Sequence, residues 1–121
     1  MNWNVDHSQS NRGKQFRLDF DLAEEKPQKF LCSPTLMEYK NISIEVVCAS
    51  CTGTSGNITV HESNVKTGAA PRYSTTETIA TGVDVANYLK LTAEIRSAYV
   101  HLEMPTLGST GRMSIIITAK D

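Results

Sequence analysis

From Arg112 to Lys120 the chain reads RMSIIITAK, and every second residue, Met113, Ile115, Ile117 and Ala119, is apolar. A period of two puts these four on one face of an extended strand. A slip of one residue would exchange them for Ser114, Ile116, Thr118 and Lys120, so only one register buries a mainly apolar set without Lys120. Ile116 is then an apolar side chain on the outward face, which marks either a second packing layer or a subunit contact.

The same period recurs upstream. Phe16, Leu18 and Phe20 alternate with Gln15, Arg17, Asp19 and Asp21, and in NISIEVVCA the residues Ile42, Ile44, Val46 and Cys48 share a face. NITVHE places Ile58 and Val60 inward with Thr59 and His61 outward, and AYVHLEM places Val100, Leu102 and Met104 inward with Tyr99, His101 and Glu103 outward. A short strand around Phe30 and Leu31 lies between Pro27 and Pro34, TETIAT supplies another, and ANYLKLTAEI puts Leu89 and Leu91 on one face. A helix competes for Val83 to Ile95, where Val85, Leu89 and Ala93 are four apart. Turns rich in Gly, Ser and Thr separate the runs at Ser50 to Gly56 and at Pro105 to Gly111, where Gly108 and Gly111 can take positive φ. Ser and Thr together make 24 of 121 residues, a composition of strands and turns. Six to eight strands at spacings of 8 to 15 residues, with no repeat of fixed period, predict an all-β fold: a single antiparallel β-sandwich, jelly-roll-like, over residues 15–121.

Residues 1–14, MNWNVDHSQSNRGK, hold only Trp3 and Val5 as sizeable apolar groups, too few to offset their ordering entropy alone. They are expected to form a flexible arm that orders on a partner, with Trp3, Val5 and Arg12, and Phe16 just beyond, as its docking contacts. The start is polar throughout and no apolar run approaches the roughly 20 residues that span a bilayer, so neither a secretory signal nor a membrane partner is expected. Twelve basic and 13 acidic residues give a net charge of -1, without the basic excess of a phosphate-backbone binder, and no nucleic acid partner is expected.

Cys48-Ala-Ser-Cys51 has thioredoxin-like spacing, but it closes a strand and runs into Thr52-Gly53-Thr54-Ser55-Gly56 instead of opening the helix that lowers a thiol pKa. Zinc would need two more ligands, and Cys32, His61 and His101 do not form a second closely spaced pair. The pairing state of Cys32, Cys48 and Cys51 is left open, the odd number arguing against a disulfide scaffold. His61 and His101 are read as outward and solvated, and Glu24, Glu25, Glu45, Glu62 and Glu103 as outward or loop charges suited to solubility. No glycine-rich phosphate loop occurs. The chain is therefore expected to be no enzyme, with no catalytic residues, metal or cofactor, and to act by interaction.

From Tyr39 onward the order of features resembles a family of small β-sandwich, virion-associated proteins of bacteriophages, of capsid-decoration or fibre-base type. The features are the strand Ile42 to Val47, then Gly56-Asn57-Ile58-Thr59-Val60-His61-Glu62-Ser63-Asn64, the Thr-rich Ser74 to Thr81, Tyr99-Val100-His101-Leu102, the turn Gly108-Ser109-Thr110-Gly111 and the ending Ile115-Ile116-Ile117-Thr118-Ala119-Lys120. The match covers about two-thirds of the chain. Val65-Lys66 stands where the family has Asp-Gly, Tyr73 where its loop has Trp, and His101 where its strand has Arg. The resemblance implies a structural protein of the virion, made in the host cytoplasm, whose partners are the major capsid or other virion proteins and which self-assembles, a trimer being favoured. The rival reading is a carbohydrate- or receptor-binding module with its site in the loops Ser63 to Thr75 and Pro105 to Gly111, where Tyr73 is the one aromatic platform.

Overall fold

Wherever the sequence alternates strictly, the chain is extended. The computed structural model describes residues 3–6, 13–66, 77–84 and 88–121, and among them the regular structure is nine strands. These are β1 (Asn4–Asp6), β2 (Gly13–Asp21), β3 (Phe30–Cys32), β4 (Asn41–Ala49), β5 (Asn57–Ser63), β6 (Glu77–Asp84), β7 (Tyr88–Glu94), β8 (Tyr99–Glu103) and β9 (Arg112–Lys120). The region over which helix and strand competed is extended in β6 and β7, with 85–87 outside the described residues.

Pairing is nested. β2 pairs with β9, β3 with β8, β4 with β7 and β5 with β6, each antiparallel, as in one long hairpin. The hairpin is then rolled so that β4 also lies beside β9, and β5 beside β8. Two sheets result, in the orders β1-β2-β9-β4-β7 and β3-β8-β5-β6. This is the strand order of a jelly roll, two interleaved Greek keys facing each other as a sandwich, with β1 added at one edge.

The core fills the space between the sheets. Leu18, Ile44, Val46, Ile115 and Ile117 from the first sheet meet Leu31, Ile58, Val60, Val100 and Leu102 from the second, all buried. Each such side chain contributes about 1.5–3 kcal/mol on leaving water. Leu18 and Val46 both stand opposite Ile115, the register that alternation selects.

Two expectations need correction here. β8 and β9 belong to different sheets, so Pro105 to Gly111, expected as a turn between them, is a crossing between layers. Gly111 has φ +95°, as a left-handed turn requires, whereas Gly108 is needed for closeness: a Cβ there would lie 1.9 Å from the Thr52 carbonyl oxygen. The second correction concerns the arm. Gly13 and Lys14 begin β2, Asn4–Asp6 pairs with Arg17, Phe16 and Gln15, and Trp3 packs partly buried against the core. The Trp3 indole Nε1 donates to the carbonyl of Cys32 at 2.9 Å, tying the edge of the first sheet to β3 of the second. One large aromatic and a short edge pairing hold this segment on the body, which average composition over 14 residues conceals.

Candidate functional site

Cys32 stands opposite His101, and His101 opposite His61, so strand register puts the three in one row across the outer face of the second sheet. His101 is wholly buried, against the expectation of a solvated residue. Its Nε2 lies 3.0 Å from the Val65 carbonyl oxygen and 4.0 Å from Cys32 Sγ. A carbonyl only accepts, so Nε2 carries the proton and donates to it, and this nitrogen is not a base for the thiol. Burial pushes the Cys32 thiol up, against a smaller opposite pull from Lys66, and pushes the His101 imidazole down. Both members therefore stay neutral at pH 7, the reverse of a thiolate-imidazolium nucleophile.

The row is a packing layer that anchors a corner. Glu62, expected outward, is buried, and its Oε1 accepts the Arg96 backbone N–H at 3.1 Å. Ser63 Oγ accepts from Val65 N, and Asn64 Oδ1 from Ala98 N at 2.9 Å. His61 Nε2 lies 3.1 Å from Glu103 Oε1, with both side chains partly buried. Among the described residues no cluster of three or more His, Cys, Asp or Glu is arranged to hold a metal, and no helix is long and apolar enough to cross a membrane.

Cys48 and Cys51 are free and half-buried, as is Cys32. Cys48, next to last in β4, stands opposite Met113, and both thiols pack on the core. Burial first, then its hydrogen bond with Cys51, pushes the Cys48 thiol up to about 12. Such a thiol is a small apolar group and a poor nucleophile.

The expected contact residues do not come together in one surface. Phe16 is 5% exposed and belongs to the core, leaving it nothing to offer a partner. Trp3 is half-buried and already bonded to Cys32, whereas Val5, on edge strand β1, is 42% exposed. Arg12 lies outside the described residues, as does most of the loop 63–75. Ile116 sits half-exposed in the middle of the first sheet's outer face, between Arg17 of β2 and Glu45 of β4.

Sequence reasoning missed the burial of His101, whose cover comes from Val65 in a distant corner and not from the strands themselves, and that of Glu62, which shares the inward phase of Ile58 and Val60 and stands opposite Val100. It also missed Lys26 and Lys29, which meet residues 55–57 and 103–107 at one end of the sandwich. No local pattern announces such a meeting.

No protein-family model matches the chain, and no curated protein sequence does. Among solved structures, the K3 cleaved adhesin domain of Lys-gingipain from Porphyromonas gingivalis w83 is similar over 88% of this chain and 74% of that one, at 13% identity and a TM-score of 0.46. A likeness of that depth carries no argument about function.

Proposed function

We propose that this chain is a non-enzymatic structural component of a bacteriophage virion, of the capsid-decoration or related type, which works by self-association and by contact with the major capsid or another virion protein. The observation that carries the reading is the complete nested strand order, a rigid jelly-roll body of the kind used in viral capsids and in binding domains. The outer face of the first sheet adds to it. Ile116 is held at its centre by paired strands on both sides, with Arg17 and Glu45 directly across from it and Ser114 and Thr118 two residues away along its own strand. A rigid sheet face of this kind, with an apolar residue at its centre and polar and charged residues around it, suits a copy-to-copy contact.

The chemistry favours contact over catalysis, since the thiol and imidazole that do meet, Cys32 and His101, are both held neutral. The test is quantitative mass spectrometry of purified particles. The chain is expected at a fixed ratio to the major capsid protein that matches a symmetric copy number, and its absence from washed particles would overturn the proposal.

A further inference from the structure

Three connections distant in sequence converge at one end of the sandwich and border a shallow, open cleft of about 630 Å³. The cleft is braced by backbone. Met104 N donates to Lys29 O at 2.7 Å, Ser55 N to Thr106 O at 3.0 Å, and Gly108 N to Thr54 Oγ1 at 3.1 Å, so residues 26–29, 55–57 and 103–107 are fixed to one another. A site preformed in this way loses little freedom on filling.

Its lining has four parts. Pro27 and Met104, both buried, with Pro105 and Leu107, give an apolar surface. Ser55, Asn57 and Thr106 give hydroxyl and amide groups that both donate and accept. Lys26 and Lys29 bring two ammonium groups, the second lying 5.4 Å above the Phe30 ring. Glu103 also lines the cleft, its carboxylate held through Oε1 by His61.

We infer that this cleft binds an acidic saccharide, a sugar carrying a carboxylate. The lysines meet the ligand carboxylate as charge-assisted donors. Asn57, Ser55, Thr106 and the Glu103 carboxylate meet its hydroxyls, and the apolar surface takes the C–H face of the ring. Glu103 decides between anions: its carboxylate repels any of them, and a saccharide offsets this with several hydroxyl donors spread around its ring and a carboxylate that can sit at the lysines, whereas phosphate at neutral pH offers only one or two hydroxyls on the same small group that carries the charge. The site would be a second activity beside assembly and does not depend on that reading, since all of its residues lie in one copy.

The test titrates the isotope-labelled full-length chain with α-1,4-linked digalacturonate, followed by amide chemical shifts, with maltose and inorganic phosphate as controls. Saturable shifts confined to 26–29, 55–57 and 103–107, with maltose and phosphate much weaker, are expected. K26Q/K29Q should weaken digalacturonate binding about tenfold or more, the scale of losing one charge-assisted contact or two, with the unbound spectrum otherwise preserved. N57A, which leaves the charges in place, should weaken it by a smaller factor. Equal binding of maltose would overturn the acidic class, and equal binding of phosphate would overturn the saccharide. Shifts centred elsewhere, no saturable shift with digalacturonate, or unchanged affinity in the folded K26Q/K29Q chain would overturn the site. Failure here leaves particle association intact, so the two proposals fall separately.

Discussion

On the outer face of the first sheet, Arg17, Glu45, Ile116 and Thr118 all keep part of their surface in water. On the outer face of the second, His101 and Ser63 have none. The strands are built alike, with apolar residues at every second position pointing into one shared core. They differ in a third layer. Residues 63–66 fold back over the second sheet, so polar side chains there are buried and must find partners. Alternation thus predicts the inner face of a strand well and says little about the outer face, whose environment is decided by whichever distant segment lies upon it.

The largest effect should come from breaking the shared core. Ile115→Asp puts a carboxylate with no partner between Leu18 and Val46, at a position wholly buried. Burying an uncompensated charge costs several kcal/mol, comparable to the whole stability of a domain of this size, so the variant should yield no soluble folded protein. Thr118→Asp, on the outer face of the same strand, should express and fold with a loss of at most about 1 kcal/mol by urea unfolding. Equal tolerance of the two would refute the inward and outward assignment of β9.

A smaller loss tests the tie between the two sheets at their edge. Trp3→Ala removes a half-buried indole and its bond to the Cys32 carbonyl. Full burial of a Trp is worth about 3–5 kcal/mol on truncation, so a half-buried one should cost about 2 kcal/mol, read as a lower urea midpoint with unchanged slope. A free arm would give no loss at all.

How far the sequence alone could go follows from these residues. Met113 to Ala119 was legible because one face is uniformly apolar and the other register would bury Lys120. The sandwich follows from several such strands, but the nesting of β2 with β9 and β3 with β8 pairs residues about a hundred and about seventy apart, which no local pattern encodes. Trp3 was misjudged because a polar average over 14 residues outweighed one anchor, and His101 because its cover, Val65, lies 36 residues away. Lys26 and Lys29 meet Asn57 and Glu103 only once three connections have converged, so the cleft was invisible before the fold.

The third layer should also make stability respond to acid. Burial holds the His101 imidazole neutral and lowers its pKa from the ordinary value of 6.5, the Val65 hydrogen bond opposing this less strongly and His61 adding to it. The unfolded chain takes up a proton there as the pH falls through 6.5, while the folded chain resists until the lowered value is reached. The stability due to the neutral imidazole is therefore complete above 6.5, is lost progressively below it, and levels off beneath the folded pKa. Urea midpoints measured between pH 7.5 and pH 5 should fall for the wild-type chain and fall less for His101→Gln, which cannot take up that proton. Identical slopes would place the acid response elsewhere.

The smallest effect on the single copy, and the most telling for assembly, belongs to Ile116. Its neighbours across the strands are Arg17 and Glu45, so an Asp there gains attraction from one and repulsion from the other at similar range. Arg17 is already engaged with Asp19, whose carboxyl is held below its usual range chiefly by the Ser114 hydroxyl and further by Arg17, burial opposing both, so little of its charge is free to favour the newcomer. Stability of Ile116→Asp should then change by less than about 1 kcal/mol, as for other surface sites. Association should change far more, because a symmetric contact centred on Ile116 would bring like carboxylates together in every interface at once. Light scattering on the folded variant separates the cases. Loss of the oligomer with the fold retained makes this face the contact between copies. An oligomer of unchanged size moves the contact to another surface, such as the edge at β1 where Val5 is exposed, and unfolding would mean that the face is covered within the single copy.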